Sequence, residues 1–206
     1  GHLEQAIPPE EKLRAALHGS AVAALFNQVQ LSHTGADISC TSLGNEPAGL
    51  AASVTMRAIT AAYLFSNTLV VLEITEEILR ALLERCASYF TLENGTPRVS
   101  DAFLAPKVEH YNYDFFAGIS YQFDLRQPVG RRLTRLSRLD GTPLGPGPLR
   151  ICTSNYRATG TGGYDALRTC PVLWRGSVEM PELVAEYVRA NSPVSLPCNG
   201  RMEAIW

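Results

Sequence analysis

The chain has 206 residues, of which 46% are hydrophobic and 18% charged, with a formal net charge of −2. That balance allows a sizeable buried core, and the near-neutral charge gives no electrostatic footing for nucleic acid or an anionic membrane surface. No apolar run approaches the roughly 18 residues that a membrane-spanning helix needs. The five cysteines lie far apart, with no CxxC and no histidine at zinc-finger spacing, which argues against a structural zinc site.

Gly1-His2-Leu3 carries neither a start methionine nor a basic-then-apolar leader, so localisation is not legible there. Ile7-Pro8-Pro9 then opens a predicted helix from Glu10 to Asn27. Leu13, Leu17, Val22, Leu25 and Phe26 form its apolar face, weakened in the middle by His18-Gly19. Gly35 to Ser39 reads as a short strand or loop entering the core. Asn67 to Ile74 is rich in aliphatic and β-branched residues and predicts a buried strand. Thr75 is placed to cap the next helix, whose Ile78, Leu79, Leu82, Leu83 and Cys86 recur at helical spacing towards Phe90.

Glu93 to Pro97 is turn chemistry around Asn94-Gly95. Ile119, Tyr121, Phe123 and Leu125 alternate along one strand, and Leu133 to Leu139 predicts a second, closed by Asp140-Gly141. The proline-rich loop Pro143 to Pro148 leads to a strand from Leu149 to Ser154. Pro181 opens a last helix that ends at Asn191-Ser192-Pro193, and Met202, Ala204 and Trp206 indicate a final strand. Strands and helices mix without regular βαβ repetition. This predicts an α+β fold, a mixed β-sheet with flanking helices, in one domain over residues 1–206.

Chemistry concentrates in two segments. Glu109 to Leu125 holds Tyr111, Tyr113, Phe115, Phe116, Tyr121 and Phe123, six of the chain's 17 aromatics. Rings flanking a loop can offer a flat face to a planar ligand, and stacking a base there is worth about 1–3 kcal/mol; the ordinary role of any one such ring is core. In Cys152 to Tyr164, a strand end delivers Tyr156 and Arg157 beside a glycine-rich turn that permits close backbone approach. It is no phosphate loop, because the Lys-Ser/Thr ending is absent.

Reactive groups are sparse. The four histidines form no HxxxH or HExxH pattern and GxSxG is missing. Arg126, Arg131, Arg132, Arg135 and Arg138 are expected on a solvated strand face. The residues favour binding over catalysis.

Taken in order, Gly35 to Ser39, Thr55-x-Arg57 leading to Tyr63 through Leu69, Tyr111 to Asp114 with Gly118 to Tyr121, and Asn155 to Ala158 before the glycines resemble the C-terminal domain of the 5'-nucleotidase family. The bacterial branch of 2',3'-cyclic-nucleotide 2'-phosphodiesterase/3'-nucleotidases is the nearest match. Where nucleotidases of the 5' type usually carry an arginine after Gly-Asp-Ile, an asparagine near the first ring and an aspartate before the final Gly-Tyr, this chain has Ser39, Gly118 and Gly162.

The resemblance implies a division of labour. A separate N-terminal metallophosphoesterase domain would hold two divalent metal ions, and this domain, needing no cofactor of its own, would clamp a nucleoside or nucleotide between two rings. Tyr156 corresponds to one ring; Phe116 or Tyr111, depending on which block is aligned, corresponds to the other. Gly118 lies beside the first ring, and Asn112, Asp114, Asn155 and Arg157 are placed to serve base edges or ribose. The parent would be a secreted, periplasmic or cell-wall hydrolase, and this domain alone would bind nucleosides weakly and hydrolyse nothing. The same domain from a 5'-nucleotidase/UDP-sugar hydrolase, and a non-catalytic surface interaction module, are the alternatives.

Overall fold

Gly19 divides the first helical stretch in two. The computed structural model, which describes all residues 1–206, has α1 at Lys12–His18 and α2 at Ala21–Thr34. Glu11 caps α1 by accepting from the amides of Leu13 and Arg14, and Gly19, at φ +90°, ends it. Ser20 restarts the helix by accepting from Ala23 N at 3.1 Å. The single helix expected from Glu10 to Asn27 is therefore two, and α2 runs on to Gly35, whose left-handed φ of 62° terminates it.

β1 (Ile38–Ser42) follows, then α3 (Met56–Ala62), which begins at the Thr55 cap. β2 (Thr68–Ile74) and α4 (Glu76–Ala87) form the strand–helix unit read from sequence, with Thr75 accepting from Ile78 N at 3.3 Å. On α4, Leu79, Leu82, Leu83 and Cys86 share one buried face; fully burying each leucine is worth about 1.5–3 kcal/mol. β3 (Phe90–Glu93) and β4 (Thr96–Val99) form a hairpin across Asn94-Gly95, both at positive φ as a tight two-residue turn requires.

β5 (Asp114–Ala117) and β6 (Ile119–Asp124) are separated by Gly118 alone. Gly118 has φ +88°, and a Cβ there would collide with the Asp37 carbonyl, so only glycine lets the chain leave one sheet for another at this point. β7 (Leu133–Arg138), β8 (Leu149–Ser154), the single turn α5 (Asn155–Ala158), β9 (Val172–Glu179), α6 (Met180–Ala190) and β10 (Arg201–Ile205) complete the order. One arginine departs from the expected solvated face. Arg132 is buried and donates to the carbonyl of Ala87, an orphan group at the end of α4, and to that of Phe90 at the start of β3.

The larger sheet has the order β5-β1-β8-β2-β9; a smaller one has the order β10-β6-β7. β1 and β8 run parallel, whereas β5 and β2 run antiparallel to them. The ends of β1 and β8 therefore meet the starts of β5 and β2 at one margin of the sheet, where Ser42 pairs with Asp114 and Leu69 with Ser154. α2 packs across β1, β5 and β8 and against α6, and 49 buried residues form one continuous core. Parallel and antiparallel strands with helices packed on them make this the α+β arrangement expected from sequence.

Candidate functional site

At that margin lies a pocket of about 310 Å³ lined by Ser42, Phe65, Asn67, Lys107, Tyr111 and Tyr156. Each strand end contributes. Ser42 closes β1, Phe65 and Asn67 immediately precede β2, Tyr156 sits in the turn after β8, and Tyr111 lies in a 3-10 turn (His110–Asn112) just ahead of β5. Phe65 is held edge-on between Tyr63, at 6.0 Å between centroids, and Tyr111, at 6.3 Å. Tyr156 is 41% exposed, and no other ring packs on it. The Arg157 guanidinium stands 5.7 Å from the Tyr156 centroid, and a half-exposed ring of this kind beside an edge-on aromatic pair leaves room for a planar group.

Beneath the pocket, Arg157 points inward while its neighbour Tyr156 points out. Its Nε and Nη2 donate to Asp114 at 2.9 and 2.8 Å, Nη2 also reaches the Tyr111 carbonyl at 3.0 Å, and Nη1 reaches the Thr161 carbonyl at 2.7 Å. The guanidinium lies 4.1 Å from the Tyr164 ring centroid, whose hydroxyl donates to the Asn112 carbonyl at 3.2 Å. Burial, the largest single influence, pushes the Arg157 pKa down, but the charge of Asp114, the neighbouring Tyr164 and the hydrogen bonds to Asp114 together outweigh it and hold the pKa above the usual value. One guanidinium thus ties the segment carrying Tyr111 to the turn carrying Tyr156. Gly162 is part of this knot, because a Cβ there would strike Arg157 Nη1 and Asn112 Oδ1.

Of the site residues expected from sequence, Tyr111 and Tyr156 share the pocket. Phe116 is only 5% exposed, packs edge-on against Tyr121, and lines a separate cavity with Asn199 and Met202. Gly118 makes the switch between sheets. Asn112, Asp114 and Arg157 are buried, with their polar groups turned on one another rather than on open space. Asn155 is exposed, and its side-chain carbonyl accepts from Thr68 N at 3.2 Å, which ties α5 to β2. Sequence reasoning missed Phe65, Asn67, Ser42 and Lys107 as lining residues. Phe65 stood within the block Tyr63 to Leu69, and the signal there was a ring outside any periodic stretch.

Groups suited to bond-breaking are not gathered here. No three His, Cys, Asp or Glu side chains are clustered to hold a metal ion. The five cysteines are unpaired, four of them buried, and burial pushes the Cys86 thiol up to about 12, far from a reactive thiolate. His110 Nδ1 is engaged with the Tyr89 hydroxyl at 2.7 Å.

Residues 1–169 match the sequence model of the 5'-nucleotidase C-terminal domain. The trifunctional nucleotide phosphoesterase protein YfkN of Bacillus subtilis is 27% identical, over 61% of this chain and 9% of that protein. A 2',3'-cyclic-nucleotide 2'-phosphodiesterase/3'-nucleotidase of Haemophilus influenzae is 26% identical, over 79% of this chain and 27% of that protein. A solved Staphylococcus aureus structure, assigned as a 5'-nucleotidase in complex with alpha-ketoglutarate, superposes with a TM-score of 0.93 at 30% identity. It covers 98% of this chain, which in turn covers 40% of it. The chain thus spans less than half the length of each of these proteins.

Proposed function

Because the chain belongs to the family of 5'-nucleotidase C-terminal domains, we propose that its 206 residues form the substrate-recognition domain of a nucleotide hydrolase. The pocket at the sheet margin takes the base, with Tyr156 on one side and the Phe65–Tyr111 pair on the other. The observation that carries this reading is the exposed Tyr156 ring, 41% accessible, in one pocket with two further rings drawn from distant parts of the chain. Tyr111 fills the place of the second ring of the clamp better than Phe116, which packs in the interior.

The substrate class proposed is 2',3'-cyclic nucleotides and 3'-nucleotides, supported by the activities for which the Haemophilus relative is named. A 5'-nucleotide is the alternative. Bond cleavage is assigned to a metallophosphoesterase domain N-terminal to this one, holding two divalent ions; no donor cluster in this chain fits such a group. This domain's part is orientation: by fixing the base it sets where the phosphate lies relative to that second domain. The parent protein is read as an exported hydrolase, and no helix here is long and apolar enough to cross a membrane.

A titration of the chain with adenosine or 3'-AMP tests the proposal. Saturable quenching of tyrosine fluorescence is expected, weak because stacking offsets only part of the cost of immobilising the ligand. It is lost in Tyr156→Ala while the circular dichroism spectrum is kept. Absence of saturation at millimolar ligand, or metal-dependent phosphatase turnover by this chain alone, contradicts it.

A further inference from the structure

Stacking orders a base in the pocket but does not identify it; identity is read by the polar groups at the base's edge. The polar lining groups are the Ser42 hydroxyl, the Asn67 amide, the Lys107 ammonium and the phenols of Tyr111 and Tyr156. No carboxylate lines the pocket. Glu109, the nearest acid in sequence, is already engaged, accepting from the Tyr111 hydroxyl at 3.0 Å and from Asn112 Nδ2 at 2.9 Å. Lys107, by contrast, is exposed and takes part in none of the chain's ion pairs. Its ammonium stands over the Tyr111 ring, 5.6 Å from the centroid, at the mouth of the same pocket.

An ammonium donates hydrogen bonds and accepts none. The pocket therefore presents a cationic donor with no anionic acceptor to balance it. A carbonyl oxygen on the base edge would meet a charged donor, whereas an exocyclic amino group at the same place would meet another donor and stay unpaired. Such a mismatch in a partly desolvated slot discriminates more strongly than the loss of one good contact.

We propose that Lys107 is a specificity-determining residue that selects bases carrying a ring carbonyl, 6-oxopurines foremost, over 6-aminopurines. The inference rests on the base-pocket reading above and adds the chemical class of the base. Tyr111 helps indirectly: with its proton committed to Glu109, its oxygen remains available to steady the Lys107 ammonium beside the ring.

Inosine and adenosine make the sharpest test, because they share ribose and ring shape and differ at the C6 substituent and the protonation of N1. Both are titrated into the chain and into Lys107→Met, reading tyrosine fluorescence, with thermal unfolding as a check on folding. In the native sequence inosine is expected to bind about ten-fold more tightly than adenosine. In Lys107→Met the ratio should fall to near one, chiefly through loss of inosine affinity. Equal binding of the two by the native chain, or a preference that survives in Lys107→Met, overturns this inference and leaves the base pocket standing. Failure of both nucleosides to bind overturns the base-pocket reading, and the inference with it.

Discussion

Arg157 and Asp114 meet side-on, through two hydrogen bonds of 2.9 and 2.8 Å, with both side chains only 2% exposed. A buried pair of this kind is poor evidence of net stability, since two charges were taken from water to make it, but removing one partner strands the other. Asp114→Asn and Arg157→Met are each expected to cost about 3–5 kcal/mol in urea unfolding. Arg157→Lys should recover little, because an ammonium cannot span Asp114, Tyr111 O and Thr161 O together. A double replacement by apolar residues should cost less than the two single losses combined. Simple additivity would show that the two side chains do not act as a unit.

The two rings assigned different surroundings by the structure should separate in their effects. Tyr156→Ala removes an exposed ring, so stability should change by less than about 1 kcal/mol while nucleoside affinity falls by about 1–3 kcal/mol, or roughly 5- to 150-fold. Phe116→Ala empties a packed site and should cost about 3–5 kcal/mol of stability, with affinity of the folded fraction kept. Parallel denaturation and nucleoside titrations distinguish them; the opposite pattern would return Phe116 to the clamp.

That contrast shows how far the amino-acid sequence could be read. The unit from Thr68 through Thr75 to Ala87 was legible because its signals are local: an aliphatic run, a capping threonine and apolar residues at helical spacing. β9 escaped notice because it is a mostly exposed edge strand with register irregularities against β2, in which Leu173 and Gly176 interrupt the alternation of Val172, Trp174 and Val178. α3 is two turns with a single cap. In the site, Tyr156 was legible as a ring delivered by a strand end. The density of aromatics around Phe116 marked a strand buried on both faces, whose rings border a different cavity from the one that holds Tyr156. Asp114 and Arg157 are 43 residues apart, and nothing local in either segment says that the polar groups are spent on each other.

Gly162 is expected to be intolerant of any side chain. Its φ of +79° is costly for other residues, and the space a Cβ would take is held by the Arg157 guanidinium and the Asn112 side chain. Arg85 Nε also donates to the Gly162 carbonyl at 2.8 Å, so the turn cannot easily move aside. Gly162→Ala should lose about 1–3 kcal/mol by chemical denaturation. It should also weaken nucleoside binding, because displacing Arg157 shifts the adjoining Tyr156. Native-like stability and affinity together would show that the knot beneath the pocket yields without consequence.

Lys12 makes stability depend on pH in a direction that can be checked. Its ammonium is buried between α1 and the sheet, donates to the Leu43 carbonyl at 3.1 Å and stands 5.4 Å from the Phe115 centroid. Burial lowers its pKa from 10.5 to about 7; Asp114, Cys86 and Glu10 oppose the shift, and Arg157 adds to it. The folded value lies below the unfolded one, so between these limits the unfolded chain binds the proton more readily. Stability from this group therefore rises as pH climbs from about 7 towards 10.5, and at lower pH the full penalty, of a few kcal/mol, is present. Lys12→Met removes the titrating group but leaves the Leu43 carbonyl without its donor. Its stability relative to the native chain should be greatest near pH 6 and decline steadily to pH 9.5, with other titrations cancelling in the difference. A difference in urea unfolding free energy that stays flat across that range would mean that Lys12 remains charged in the folded chain throughout it.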